Sequence, residues 1–277
     1  MTDVLLMHTI TDKEFHQLAE FIKKNYGINL KEEKRVLVAG RLQNVLIQKN
    51  IKSFSEYFEH VLSDKTGEAA AELVNKITTN YTFYMREPEH FHYFREVVLP
   101  YLVKTVKNRD LRIWSAGCSS GEEPYTLAMI IDEYFQGKKA GWDTRILATD
   151  ISGRMLEKAK TGIYGVESVA KLPPQWRLNY FTRQDDDSYA IADRIKKEVI
   201  FRKFNLVGGA FPFRRKFHVI FCRNVMIYFD TKTKDELVER FYDALEYGGY
   251  LFIGHSESIS RHRTKFRYVM PAVYRKV

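Results

Sequence analysis

The sequence predicts an α/β protein: an all-α domain over about 1–75, followed over 76–277 by a doubly wound sheet domain that carries a small β-subdomain inserted at about 163–200. Three observations carry this. Apolar residues recur at helical spacing through the first segment, with capping residues and glycine between the repeats. From residue 111 onward, short apolar runs alternate with amphipathic stretches, which is the pattern of a parallel sheet. About 55 residues then separate the helical stretch at 152–160 from the apolar run at 218–222, far more than the 2–6 of an ordinary βα connection.

Taken in order, Thr11 and Glu14 form a capping box ahead of Phe15, Leu18, Ala19, Ile22 and Tyr26, and Gly27 stops that helix. Leu37, Val38, Leu42, Val45 and Leu46 mark a second helix. Ser53 and Glu56 cap a third before Tyr57, Phe58, Val61 and Leu62, and 69–77 supplies a fourth. After Pro88 a helix runs to about Val106. Strands are predicted at 111–116 and 144–149, with helices at 122–135 and 152–160. Short strands at 189–191 and 199–204 are assigned to the β-excursion. The chain then gives a strand at 218–222, a helix at 233–247 ended by Gly248 and Gly249, a strand at 250–254 and a β-rich end at 267–274.

The 277 residues are 45% apolar and 29% charged, so neither a disordered nor a fibrous class fits. No apolar run approaches the ~20 residues that span a bilayer. The first eight residues carry an acid and no basic segment, unlike a signal peptide, and a cytoplasmic location is expected. Cys118 and Cys222 are too few for a disulfide framework, and His90 and His92, two apart on a helix, read as surface residues, so no metal site is expected. The formal charge of +9 is uneven: residues 1–75 hold 10 Lys/Arg against 11 Asp/Glu, while 194–216 holds eight bases and one acid. Such a run suits anionic partners or is simply a solvated face.

Ile113-Trp-Ser-Ala-Gly117-Cys-Ser-Ser-Gly121-Glu122-Glu123-Pro-Tyr125 follows a predicted strand and opens a predicted helix, where doubly wound folds hold a nucleotide-like ligand. Two glycines let the backbone approach that ligand. Acids at the helix start repel a pyrophosphate and suit an amine-bearing ligand, though they are also ordinary first-turn residues. Asp150 ends the next strand, where a carboxylate accepts from both ribose hydroxyls, or else caps the helix at 152. Asn80-Tyr-Thr82-Phe-Tyr-Met-Arg86-Glu87 joins the two predicted domains, either as packed linker or as part of the site. Phe221-Cys-Arg-Asn-Val-Met-Ile-Tyr-Phe-Asp230 follows the fourth-strand position, at the sheet edge that forms active sites.

These segments in this order, with Gly254-His-Ser-Glu257, resemble the CheR family of chemotaxis receptor methyltransferases over nearly the whole chain. The resemblance implies an N-terminal all-α domain, then a class I S-adenosylmethionine-dependent methyltransferase domain, Rossmann-like, with a final antiparallel strand and an inserted β-subdomain. It implies esterification of glutamate side chains on methyl-accepting chemotaxis receptors, giving methyl esters and S-adenosylhomocysteine. Positioning and desolvation suffice for that reaction, with no metal and no covalent nucleophile. By the resemblance Asn80, Thr82 and Arg86 reach the cofactor, Glu123 holds its methionyl or neighbouring polar part, and Asp150 its ribose. Asn205 and Leu206 flank the adenine, Cys222 and Arg223 lie at the methionyl end, and Arg86 and Tyr228 stand beside the transferred methyl. The partners implied are the methylation helices of the receptors, met by the second helix of the first domain, whose Lys34, Arg35, Arg41 and Lys49 read as a basic stripe. No nucleic-acid partner, no membrane insertion and a monomer are expected. Base methylation calls for an Asn/Asp-Pro-Pro-aromatic turn, and the chain has Arg223-Asn224-Val225 there. A non-catalytic scaffold is the remaining alternative, although every motif position is filled.

Overall fold

The computed structural model describes residues 9–260 and 262–277, so the first eight residues, on which the targeting argument rests, and Arg261 of the basic C-terminal run lie outside the described residues. The chain divides into two compact units, one comprising the chain up to Asn80 with Tyr228–Asp230, the other Tyr81–Ile227 with Thr231–Val277.

Among the described residues the first unit holds four α-helices: α1 (Asp12–Tyr26), α2 (Arg35–Lys49), α3 (Phe54–Ser63) and α4 (Glu68–Ile77). Thr11 and Glu14 form the reciprocal capping box, and Gly27 closes α1 at φ 70°. The α3 cap is one-sided: Ser53 accepts the Glu56 N–H, while the Glu56 carboxylate accepts from Lys52 N–H at 2.8 Å. Phe15, Leu18, Ile22, Val38, Leu42, Val45, Phe54, Tyr57 and Leu73 are buried together, each apolar side chain contributing roughly 1.5–3 kcal/mol.

Of the four bases expected as a stripe on α2, three are engaged within the unit, while Lys34 is exposed in the short turn Glu32–Lys34 that precedes the helix. Arg35 pairs with Asp12, Lys49 with Glu72 at 3.2 Å, and the Arg41 guanidinium donates to the Ile77 carbonyl at 2.8 Å and to Thr79 Oγ1 at 3.0 Å. Beside exposed Asn44, Gln48 and Lys49, α2 also exposes three large apolar side chains, Val36 at 81%, Leu37 at 47% and Ile47 at 44%. The returning segment Tyr228–Asp230 joins the unit through Asn29 N–H to the Tyr228 carbonyl at 2.8 Å and Lys23 to Asp230 at 2.9 Å.

In the second unit the expected helix from Pro88 is α5 (Pro88–Tyr93) and α6 (Leu99–Thr105), joined by a π-turn over Phe94–Val98. Pro100 has no N–H to give the preceding turn, and the helix accommodates it by widening there. Strands β1 (Ile113–Ala116) and β2 (Ile146–Asp150) flank α7 (Glu122–Phe135), and α8 (Gly153–Thr161) follows. The inserted region holds β3 (Ile163–Gly165), α9 (Val166–Ala170), α10 (Pro174–Tyr180), β4 (Phe181–Arg183), β5 (Ser188–Ile191) and α11 (Asp193–Lys196). The chain ends with β6 (Val199–Lys203), β7 (Phe217–Cys222), α12 (Thr231–Ala244), β8 (Leu245–Ile253), β9 (Arg267–Met270) and β10 (Val273–Arg275).

The seven-stranded sheet has the order β6-β2-β1-β7-β8-β10-β9, parallel from β6 to β8, with β10 antiparallel to β8. The small sheet is β3-β5-β4, antiparallel, and Asp185, Asp186 and Asp187 form its exposed hairpin turn.

Two strand assignments differ from the sequence reading. The strand at 199–203 belongs to the large sheet, paired in parallel with β2 from Ile146 opposite Val199 to Asp150 opposite Lys203. A five-residue edge strand looks locally like any other, and its partner lies some fifty residues upstream. The last helix stops at Ala244, because Leu245 already pairs with Phe217 and the register then slips before Val219 meets Tyr250. Gly248, at φ 81°, and Gly249, whose added Cβ would sit 2.9 Å from the Glu246 carbonyl, serve that bulge inside a strand.

Alternation along the strands builds both faces. Trp114 packs with Phe204, Phe211, Phe213, Phe217 and Phe241 on one side, its indole N–H given to Thr149 Oγ1 at 2.9 Å. On the other, Phe221 stacks on Phe252 at 4.3 Å and meets Phe91 and Phe94.

Candidate cofactor-binding site

Winding reverses between β1 and β7: β1, β2 and β6 run one way across the sheet, β7 and β8 the other. Open α/β sheets bind ligands outside the carboxyl ends of the strands at that point. Both loops there carry motifs singled out from the sequence.

The loop 117–121 is shaped by backbone. Gly117 (φ 98°), Ser119 (φ 48°) and Gly121 (φ 96°) all take left-handed conformations. A Cβ on Gly117 would overlap Val225 Cγ2, so the loop after β1 lies directly against the loop after β7. Gly117 and Cys118 donate N–H to the Thr149 carbonyl at 2.8 and 2.9 Å, and Tyr164 donates its hydroxyl to Ser120 C=O at 2.7 Å.

Asp150 holds this loop in place. Its two carboxylate oxygens accept the Ser119 N–H at 2.7 Å and the Ser152 N–H at 2.8 Å, and its own carbonyl accepts from Phe204 at 3.0 Å. The N-cap of α8 is Ser152, which accepts from Met155 N–H, so Asp150 is not that helix's cap. Burial pushes its carboxyl above the usual range despite backbone N–H donors at Ser152, Ser119 and Ile151. Each oxygen keeps a lone pair free for a further donor. Asn205 and buried Leu206 follow Phe204 and therefore stand at the same edge as Asp150.

Charge organises the loop after β7. The side chain of Arg223 is 2% exposed; it donates to Glu123 at 2.9 Å, to Glu87 at 3.0 Å and to the Arg86 carbonyl, and lies over the Phe91 ring at 5.1 Å. Ser115 Oγ donates to the other Glu123 oxygen at 2.7 Å. Burial would raise Glu87, but Arg223 and the Asn224 amide outweigh it and hold this carboxyl below its ordinary value. Glu257 accepts N–H groups from Gly254 at 2.6 Å, Asn224 at 3.0 Å and Ile227 at 3.1 Å. Gly254 is required there, since its Cβ would stand 2.5 Å from Asn224 Nδ2. Burial raises both the Glu257 carboxyl and the Cys222 thiol, which leaves that thiol protonated and unsuited to attack.

The expected residues therefore fall into distinct groups. Glu123, Arg223 and the backbone of Arg86 form one hydrogen-bonded network, Asp150 with Asn205 and Leu206 a second group, and Cys222 ends β7 inside the protein. Thr82 stands half-buried upstream of Arg86 with no bond to either group. Asn80 and Tyr228 belong to the first unit, where the Tyr228 hydroxyl accepts from Thr79 N–H and donates to Thr79 C=O, both at 3.2 Å. Arg86 sits between Met85 and Glu87, both left-handed at φ 58°, and its guanidinium donates to the Tyr81 carbonyl. Sequence reasoning assigned no role to Glu87 or Glu257. Their signal was present, since both lie inside quoted motifs.

The arrangement fits an adenosine-linked sulfonium. Glu87, Glu122, Glu123, Asp150 and Glu257 outnumber Arg86 and Arg223 around the two loops, which favours a cationic ligand. Asp150 offers free lone pairs to a diol, and the buried Ser119 Oγ has no hydrogen-bond partner. These features make this edge of the doubly wound sheet a candidate nucleoside site of the class I methyltransferase type.

Comparison with known proteins then gives the family. Residues 80–274 match the model described as CheR methyltransferase, SAM binding domain, and residues 13–78 match the CheR methyltransferase all-alpha domain. The chain is 42% identical to the chemotaxis protein methyltransferase of Borreliella burgdorferi over 270 residues, covering 96% of this chain and 95% of that one. It is 36% identical to a Pseudomonas putida chemotaxis protein methyltransferase and 37% identical to one from Pseudomonas aeruginosa, in each case over 89% of this chain and 90% of the relative. The chain belongs to the CheR methyltransferase family and is an S-adenosylmethionine-dependent methyltransferase of chemotaxis. Among the described residues no helix is long and apolar enough to cross a membrane.

Proposed function

We propose that the chain transfers the methyl group of S-adenosylmethionine to glutamate side-chain carboxylates of chemoreceptors, leaving γ-glutamyl methyl esters and S-adenosylhomocysteine. The observation that favours a carboxylate acceptor is Arg86. Arg223 is buried between two glutamates, whereas the Arg86 guanidinium spends one N–H on Tyr81 and keeps the rest of its fork for a planar anion.

The cofactor brings an already activated methyl on a sulfonium. The chain's residues have only to hold, align and exclude water. Asp150 accepts the ribose hydroxyls, Glu123 the methionyl ammonium, and Asn205 with Leu206 flanks the base; Asn80, Thr82, Cys222 and Arg223 complete the cofactor contacts by family assignment. Arg86 and Tyr228 orient the acceptor. A carboxylate is nucleophilic as it stands, so no general base is required. The receptor's helical methylation region docks on the apolar α2 face around Val36, Leu37 and Ile47, and the enzyme works as a cytoplasmic monomer.

The test is incubation with methyl-labelled S-adenosylmethionine and receptor cytoplasmic fragments. Label released as methanol by alkali supports the ester; alkali-stable label excludes it. Arg86→Ala is expected to lower kcat by about tenfold or more, as removal of a charged orienting group does.

A further inference from the structure

His90 reads from sequence as a surface histidine, and the structure buries it completely, with no well-formed hydrogen bond at either ring nitrogen although Glu87 and the Pro271 backbone lie beside the ring. Burying an imidazole with its polar atoms poorly met is unfavourable. Packing does not account for it: the ring lies edge-on to Phe252 at 5.7 Å, a contact that a phenyl ring would make without stranding two nitrogens.

Two further ligand-type side chains converge on it. Glu87 Oε2 stands 3.4 Å from His90 Nδ1, and the exposed His255 ring is 4.5 Å from the His90 ring, centroid to centroid. One donor atom from each of the three lies within 4.8 Å of the others, the one such group of His, Cys, Asp and Glu among the described residues.

We propose that Glu87, His90 and His255 form a binding site for a divalent late first-row transition-metal ion, of which Zn²⁺ is the probe. Two imidazoles and a carboxylate are the donors such ions select. Donors of a tetrahedral ion at ~2.0–2.1 Å stand about 3.3 Å apart, so the Glu87 to His90 separation of 3.4 Å is already in place. His255, exposed beyond the end of β8, brings the third donor atom within 4.8 Å of the other two and leaves the fourth position to water.

The carboxylate is oriented as metal-ligating carboxylates are: Glu87 receives Asn224 Nδ2 on one oxygen at 3.2 Å and Arg223 on the other. The Arg223 guanidinium opposes a cation, and Glu123, bonded to its other arm at 2.9 Å, offsets that charge. The site shares Glu87 with the charged network of the loop after β7 and meets the nucleoside contacts through Arg223 and the neighbouring Arg86.

Calorimetry of the untagged full chain with Zn²⁺, and Co²⁺ titration read by the visible bands of tetrahedral cobalt, test the proposal. One ion per chain is expected. His255→Ala, at an exposed position, and His90→Gln should each weaken binding by roughly tenfold or more, while His92→Ala, two residues along α5 and exposed, should not. If His90→Gln fails to fold, His255→Ala decides. Absence of tetrahedral cobalt bands, or His255→Ala binding Zn²⁺ as the parent does, overturns the site.

Discussion

The loops after β1 and after β7 face each other at the switch point of the same sheet, and each hangs on one buried carboxylate that accepts backbone N–H groups. Asp150 holds the first through Ser119, and Glu257 holds the second through Asn224 and Ile227. Their composition is otherwise opposite. The first loop is made of small residues, three of them in left-handed conformations, and of their side chains Ser120 alone makes a short hydrogen bond, to Glu122 at 2.8 Å. The second is made of charge, with Arg223 buried between Glu87 and Glu123. A loop shaped by glycine brings backbone close to a ligand; a loop shaped by ion pairs fixes where side chains stand. The site uses one for approach and the other for placement.

Removing the second anchor should cost most. Glu257→Ala strands three backbone N–H groups in the interior at about 1–3 kcal/mol each. We expect at least ~3 kcal/mol of lost stability in urea unfolding; a loss below ~1 kcal/mol would show that this loop keeps its shape without the carboxylate. Asp150→Ala should be milder in stability, because two N–H groups are affected. It should also weaken S-adenosylhomocysteine binding by roughly 1–3 kcal/mol through the unpaired ribose hydroxyls. Calorimetry that finds parental affinity would leave Asp150 as a loop anchor only.

Gly117→Ala separates shape from space in the first loop. Its φ of 98° is unfavourable for any side chain, at about 1–3 kcal/mol, and its Cβ overlaps Val225. Adding Val225→Ala should recover only the steric part. Full recovery of stability and S-adenosylhomocysteine affinity in the double variant would mean that the left-handed backbone at 117 costs nothing.

The difference between the loops also explains how much could be read beforehand. The α1 capping box, the bounds of α7 and the glycine loop were legible because each signal and its effect lie within a few residues. So was the presence of charged motifs after β7. The role of Glu257 was not, since the N–H groups it meets at Asn224 and Ile227 lie 33 and 30 residues away in sequence. The same distance hid the placement of β6 beside β2 and the burial of His90 against Phe252. On α2, charge spacing suggested a free basic face, and only tertiary packing reveals that Arg35, Arg41 and Lys49 are already engaged.

The smallest effect concerns pH and distinguishes the anchor's charge from its shape. Burial raises the Glu257 carboxyl above its unfolded value of 4.5, so the native state holds that proton more tightly than the unfolded chain does. The stability linked to it is therefore complete below 4.5 and is lost as pH rises through the folded value. Glu257→Gln keeps the shape and cannot titrate. Glu14 and Glu87, whose carboxyls are lowered and which favour folding above their unfolded values, are present in both proteins and cancel in the difference. The stability of the parent relative to Glu257→Gln should thus decline as pH rises from 4.5 towards neutrality, by about 1.4 kcal/mol for each unit by which the folded pKa is raised. Paired urea titrations across that range measure it. A constant difference would mean that the three N–H donors fully offset burial, and a rising one would mean that they exceed it, making this loop electrostatically stronger than Asp150 makes its neighbour.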